Sequence, residues 1–231
     1  MNTSDKVSSP DYGLGVAASE VRRIRDQFID QAYRNENSRL GFYESQYKAI
    51  EEIEDQFGEM QGVTYESYLI NLYNSVNELA KNPTSTVARS SLIQNATAFI
   101  EKSENVYKGL KDYQTTLNTQ VKNMVDSINK LGDKIYTLNK KISKIESTGI
   151  EDANDLRDER DAAIDELSKY IDITYYENDS KEVIISAEGI PFVTMGELAK
   201  MDTRVVEGTN LVIPTWPGYE RDVYDLSTEA S

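Results

Sequence analysis

The sequence predicts a mainly α protein with a small β part: an elongated antiparallel bundle of long helices, followed by the start of a small β domain. Three observations carry this expectation. Over residues 93–145 apolar side chains recur at alternating steps of three and four for seven heptads and more. Two shorter stretches before them have helical stripes of their own. After Ile171 the period shortens, and β-branched and aromatic residues gather in brief runs.

The elements follow in order. Residues 1–12 are rich in Ser and Asp and contain Pro10, which reads as a disordered leader. A first helix is predicted over residues 18–57. Its stripes are Val21, Ile24 and Phe28, then Leu40, Tyr43, Tyr47 and Ile50, extended by Ile53 and Phe57. The polar patch Asn35-Glu36-Asn37-Ser38 is a place for it to fray or kink, and Gly58 and Gly62 bracket a turn. A second helix spans Tyr65–Lys81, with Thr64 as N-cap and Glu66 in the first turn, where the dipole favours negative charge. Leu69, Leu72, Tyr73, Val76 and Leu79 form its stripe, and Asn82-Pro83 ends it.

The third helix begins its stripe at Ile93 and runs through Ile100, Tyr107, Leu110, Leu117, Val121, Ile128, Leu131, Ile135, Leu138 and Ile142 to Ile145. Only Ser103 and Gln114 interrupt the apolar pattern. That stretch is roughly 78 Å long at about 1.5 Å per residue. Such a rod needs partners along its length, and the first two helices placed end to end supply them. Gly109 and Gly132 weaken it, each by about 1 kcal/mol relative to alanine. The turn Ser147-Thr148-Gly149 ends it, and a fourth helix covers residues 152–170 with Leu156, Ala163, Ile164 and Leu167 inward. A hairpin then pairs residues 173–176 with 182–186, and residues 192–194 and 211–213 add strands. Pro214, Trp216, Pro217 and Gly218 mark an irregular connection, followed by a polar tail. The resulting division is a helical-bundle domain over 13–170 and a partial β-rich domain over 171–231, with the natural polypeptide expected to continue past Ser231.

Composition narrows the chemistry. Forty acidic against 25 basic residues give a net charge of -15, the wrong sign for neutralising nucleic-acid phosphates or an anionic membrane surface. The apolar runs are only a few residues long, as at Val183-Ile184-Ile185, too short to span a bilayer. No secretory signal pattern opens the chain. With neither cysteine nor histidine, disulfides, thiolate chemistry, zinc fingers and histidine-based catalysis are excluded.

The strongest catalytic or metal candidate is the acidic set Asp155, Asp158, Glu159, Asp161 and Asp165, since paired carboxylates do acid–base work and oxygen ligands suit Ca²⁺ or Mg²⁺. Their helical spacing, interleaved by Arg157 and Arg160, reads instead as a solvated, ion-paired helix face. The basic run Arg22, Arg23, Arg25 is explained by i,i+4 pairs such as Arg22–Asp26. Gly13-Leu14-Gly15 lacks the strand and third glycine of a dinucleotide loop, and no Walker or Gly-x-Ser-x-Gly motif is present. Fifteen tyrosines against five phenylalanines suit half-buried packing and subunit interfaces alike. No catalytic, cofactor-binding or metal-ligating residue is therefore assigned, and no enzyme is expected.

Several segments carry a family resemblance. Gly13-Leu14-Gly15-Val16 is followed by Val21-Arg22-Arg23-Ile24-Arg25-Asp26-Gln27-Phe28-Ile29-Asp30, then Tyr33-Arg34-x-Glu36 and Leu40-Gly41-Phe42-Tyr43-Glu44. Leu79-Ala80-Lys81-Asn82-Pro83 and the steps Ile128-Asn129 and Leu138-Asn139 come next. The most specific stretch is Asn154-Asp155-Leu156-Arg157-Asp158-x-Arg160-Asp161, leading to Asp165-Glu166-Leu167-Ser168. In order and spacing, over residues 13–168, these resemble the hook-associated protein 1 family of bacterial flagellar axial proteins.

That resemblance implies a structural subunit joining hook to filament, extracellular, exported without a cleaved signal. Its partners would be other axial subunits: further copies, hook protein and a neighbouring hook-associated protein. The family's helical, Asn-rich N-terminal segment and its C-terminal helix, which drive polymerisation, have no counterpart in this sequence, so this piece is expected to be monomeric in solution. Flagellin or the third hook-associated protein is the alternative within the class. A ligand- or partner-binding helical sensor or adaptor, and a metal-dependent hydrolase, are the alternatives outside it.

Overall fold

A computed structural model describes residues 27–58, 64–147, 152–219 and 221–223. Among them the chain forms helices α1 (Gln27–Phe57), α2 (Tyr65–Lys81), α3 (Thr86–Glu146) and α4 (Asn154–Leu167). Strands β1 (Ile173–Glu177), β2 (Val183–Ala187), β3 (Ile190–Val193), β4 (Asp202–Val205), β5 (Val212–Trp216) and β6 (Arg221–Asp222) follow. The predicted leader, the Gly13-Leu14-Gly15 segment, the arginines at 22, 23 and 25, Val21, Ile24, Gly62, Thr148-Gly149 and the polar tail lie outside the described residues.

α3 is 61 residues long, about 90 Å at 1.5 Å per residue. It starts seven residues before the predicted Ile93. The cause is Ser85, whose hydroxyl accepts from the Ala88 N–H at 3.2 Å and caps the first turn. α2 has the predicted bounds, with Thr64 Oγ1 capping Ser67 N–H at 3.2 Å. α1 and α2 lie end to end against α3 and antiparallel to it. Ser45 of α1 shares a groove with Met124, Gln56 lies against Gly109, and the Tyr65 hydroxyl meets Ser103 Oγ at 3.1 Å. Phe57, Tyr65 and Phe99 stack at that junction, with ring centroids 5.7 and 5.4 Å apart.

Three expectations need correction. α1 runs unbroken through Asn35-Glu36-Asn37-Ser38, because the Asn37 amide donates to Asp165 O and Ser168 Oγ, both at 3.0 Å, and so docks the patch on α4. The apolar stripe of α1 faces outward: Leu40, Tyr43, Tyr47, Ile50 and Ile53 are exposed, while Ser45, Glu52 and Gln56 turn toward α3. In the first half of α3 the seam is displaced by one residue. Ile93, Ile100 and Tyr107 are 67, 55 and 69% exposed, whereas Ala88 and Val106 are buried and Phe99 stacks on Tyr65. Apolar pairs recur there at heptad spacing, Leu92-Ile93, Phe99-Ile100 and Val106-Tyr107. One neighbouring helix covers the first member of a pair and leaves the second uncovered. In the second half the predicted positions Ile128, Leu131, Ile135, Leu138 and Ile142 are all buried.

α4 is shorter than predicted but buries Ala163, Ile164 and Leu167 as its spacing requires. β1, β2 and β3 form an antiparallel sheet in that order, with Ile173 opposite Ala187 and Glu177 opposite Val183. Positive φ at Glu188 and Gly189 (49° and 75°) makes the β2–β3 link a primed two-residue turn. β4, β5 and β6 form a second antiparallel sheet. Here the predicted irregular connection is narrower than expected: Pro214 and Trp216 belong to β5, while Pro217–Tyr219 form the short 3-10 turn between β5 and β6. Proline is tolerated because, among the described residues, β6 pairs with Thr215 and Trp216 and not with Pro214. Pro214 C=O still accepts from Val223 N–H at 3.1 Å, so its missing donor falls at the end of the ladder. β4 gave no hydrophobic signal. It is held by β5 and by the Arg204 Nε–Asp222 Oδ1 pair at 2.8 Å.

One hydrophobic core joins α3, α4 and both sheets. It includes Ile128, Ile135, Ile164, Leu167, Ile173, Ile185, Phe192 and Trp216, and so draws residues from both sides of position 170. Phe192 and Trp216 meet edge to face at 5.6 Å. Gly132 is buried beneath Phe192 and Leu198. A Cβ there would strike Phe192 Cζ and come within 2.9 Å of Leu198 Cδ1. A Cβ at Gly109 would meet only the flexible Gln56 side chain. The two glycines should therefore respond to alanine with opposite signs in urea unfolding. Gly109→Ala is expected to stabilise by up to about 1 kcal/mol. Gly132→Ala is expected to destabilise by about 1–3 kcal/mol, since overpacking outweighs the same propensity gain.

Candidate functional site

Arg160 follows the core spacing of α4, being four residues before Ile164 and seven before Leu167, and it is 2% exposed. A guanidinium carried into a core requires acceptors. It finds Glu177 Oε2 on β1 at 2.7 Å, Lys181 O in the hairpin turn at 2.8 Å and Asn139 Oδ1 on α3 at 3.2 Å. One turn earlier, Arg157 forms a fork with Glu146 at the end of α3, Nε–Oε1 and Nη2–Oε2 both 2.6 Å, and reaches Glu177 Oε2 at 2.9 Å. Glu146 also accepts from Ala153 N–H at 3.1 Å. It thereby caps α4, whose own N-cap residue offers no side-chain bond. Lys140 Nζ closes the far side on Glu182 Oε1 at 3.1 Å and also bonds Met195 O.

The electrostatics follow from this geometry. The fork from Arg157 holds the Glu146 carboxyl below its ordinary pKa, against the opposing effect of burial. Its folded value is depressed, so the stability it adds is present above the ordinary carboxylate range. That stability is lost as pH falls through the folded value. Burial lowers the Arg160 pKa, and the Glu177 hydrogen bond opposes that shift. The Arg157 pKa is raised by the hydrogen bond to Glu146. The arrangement is a polar lock joining the end of α3, α4 and the β1–β2 hairpin.

The structure disperses the predicted acidic set. Asp165 accepts from Arg34 Nε on α1 at 2.7 Å, with Asp161 3.9 Å from Arg34 Nη2. Arg34 is 2% exposed and lies 4.2 Å over the Tyr175 ring. Glu159 pairs with Lys134 of α3 at 3.0 Å, and Asp155 and Asp158 lie on the exposed side. The ion pairs of this helix reach beyond it: Arg157 and Arg160 turn inward to other elements, and Asp165 pairs across to α1. Among the described residues no group of three or more His, Cys, Asp or Glu is placed to hold a metal ion. Sequence reasoning missed Arg34, Asn139, Glu146 and Glu177. The available signal was Arg160 and Asn139 at positions of otherwise apolar stripes. A groove of about 760 Å³ separates α1 from the middle of α3, lined by Lys48, Glu52, Tyr113, Leu117 and Met124. Burial and the Glu52 carboxylate raise the Tyr113 pKa there.

A second feature is apolar surface. Besides Ile93, Ile100 and Tyr107, α2 exposes Leu69, Tyr73 and Val76. Each follows a partly or wholly buried residue of α2 (Tyr68, Leu72 and Ser75) by one. In an antiparallel pair the residues one step past each seam fall on the same side, so the two stripes border one groove.

Residues 50–213 match the family described as the flagellar hook-associated protein FlgK helical domain. Flagellar hook-associated protein 1 of Bacillus subtilis (strain 168) is 32% identical over 200 residues, which is 86% of this chain and 39% of that protein. The chain thus spans about two-fifths of the length of this relative. The flagellar hook junction protein FlgK of Burkholderia pseudomallei superposes with a TM-score of 0.61 at 16% identity, over 80% of this chain and 32% of that one. At that identity the superposition shows the shared fold. The long stripe of α3, the Asn154–Asp161 motif of α4 and the match over most of the chain lead to one conclusion: this chain belongs to the flagellar hook-associated protein 1 (FlgK) family.

Proposed function

We propose that this chain is the helical rod and adjoining β part of a structural subunit that joins hook to filament in the bacterial flagellum. The observation that carries the reading is α3: 61 residues, braced on one side by α1 and α2 and locked at its end to α4 and β1. A braced rod resists bending along its length, and every buried charge in its lock serves as a fixed tie. The stripes left uncovered on α1, α2 and α3 are the faces that meet other axial subunits: further copies, hook protein or a neighbouring hook-associated protein. Among the described residues no helix is long and apolar enough to cross a membrane. The location that fits is the extracellular flagellum, reached without a cleaved signal peptide. The same uncovered stripes also suit an adaptor bundle that receives a partner helix, so the test must separate the two.

Deletion of the gene in a motile host should leave hooks that lack filaments, and the intact gene should restore them. The same gene carrying Ile93→Ser, Ile100→Ser and Tyr107→Ser should restore filament attachment and swimming poorly. The melting temperature of the isolated chain should change little, since these residues are exposed. Filaments that persist on the deletion strain would overturn the junction reading. Full rescue by the triple variant would show that this stripe meets no neighbour.

A further inference from the structure

We infer that three asparagines of α3, Asn118, Asn129 and Asn139, form a register device that keys the β part to the rod. Each presents its side-chain amide to the backbone at the start of a different strand. Asn139 exchanges two bonds with Val183, the first residue of β2: Val183 N–H to Oδ1 at 3.0 Å and Nδ2 to Val183 O at 2.7 Å. Asn129 does the same with Met201, immediately before β4, at 3.0 and 2.9 Å. Asn118 accepts from Val212 N–H, the first residue of β5, at 2.9 Å and donates to Asn210 O at 2.6 Å. A primary amide carries a donor and an acceptor in one plane, as a peptide unit does. It can therefore pair with a strand residue as a neighbouring strand would.

The positions show why such partners are needed. β3 pairs with β2 only as far as Ile185, so Val183, two residues back, keeps Glu177 of β1 opposite it but has no β3 residue on its other side. Among the described residues β6 pairs with β5 at Thr215 and Trp216, and Val223 reaches Pro214, so no described strand residue pairs with Val212 on that side. Val206 N–H donates inward to Leu211 O, and alternation along β4 then turns Met201 to the side away from β5. At each place no described strand pairs with that side of the residue, and the helix side chain takes the position instead. Unsatisfied strand groups there would each cost the desolvation of a peptide N–H or C=O.

The amides stand about 16 and 15 Å apart along α3 at 1.5 Å per residue. One strand of the first sheet and two of the second are thus gauged against a single helix. Sliding or turning the β part on the rod breaks three pairs of bonds together. The inference concerns the internal construction of the chain and goes beyond the junction reading, whose test is made in cells.

The test is residue-resolved amide hydrogen exchange on the 231-residue chain with Asn118→Leu, Asn129→Leu and Asn139→Leu made singly. Asn105→Leu, on an exposed face of the same helix, is the control. Each variant should speed exchange about tenfold or more at its own strand residue, Val212, Met201 or Val183. The other two should stay within about twofold, and the control should change none. The chain has no cysteine, so spin labels at Lys122→Cys and Glu207→Cys report the β part against the rod. Their distance distribution should broaden in the Asn118→Leu/Asn129→Leu double variant. Unchanged exchange at the matched residue, or an equal rise at all three, would overturn the device. So would an unbroadened distribution.

Discussion

Arg160→Ala is expected to destabilise the chain by about 3 kcal/mol in urea unfolding at neutral pH. Arg160 is 2% exposed, so its removal leaves acceptors in a space that water enters poorly. Lys181 O loses a 2.8 Å bond and Asn139 Oδ1 a 3.2 Å one. Glu177 keeps Arg157 at 2.9 Å and some solvent, with its side chain 24% exposed. That places the cost at the lower end of what a broken buried pair shows. The paired variant Arg160→Met/Glu177→Leu should recover much of the loss, because an apolar contact replaces the lone charge. If Arg160→Ala costs less than about 1 kcal/mol, the lock is no more than a surface salt bridge.

Phe192→Ala should cost about 3–5 kcal/mol, the range for deleting a buried aromatic ring. Phe192 is fully buried, stacks edge to face on Trp216 at 5.6 Å and fills the space over Gly132. It touches α3 and both sheets at once, so little around it can collapse into the cavity. The single tryptophan makes the second readout direct. Trp216 fluorescence follows the β part, while far-ultraviolet circular dichroism is dominated by the helices. We propose that the shared core makes the second half of α3, α4 and the sheets unfold together. Both probes should then shift by the same amount in the variant. Separate transitions would instead support independent units over 13–170 and 171–231.

Much of the helical architecture was legible because its signals are local. Helix 2 could be bounded from Thr64 and Asn82-Pro83, since a cap and a proline act within one turn. The β1–β2 hairpin showed itself by a change of period after Ile171 and two short β-branched and aromatic runs. β4, whose residues are Asp, Thr, Arg and Val, was invisible because pairing to β5 makes it a strand. The polar lock was half visible. Arg160 occupies a core position of α4, yet its acceptors come from Glu177 and Lys181, residues 17 and 21 positions away, and from Asn139 on another helix. The acidic residues of α4 looked like one cluster because spacing records the face a residue occupies. It does not record which neighbour approaches that face.

By itself the sequence determined the helical rod, the change to β structure after residue 171, the lack of thiol and imidazole chemistry, and the motifs of the family. Only the tertiary structure decided which of two adjacent apolar stripes on α3 became the seam with α2. It also decided that α1 turns its apolar side outward, and that three asparagines meet the starts of three strands. The physical reason is the range of the forces. Caps, periodicity and turn preferences act within a few residues of chain, whereas burial and pairing depend on surfaces brought together from far apart in sequence.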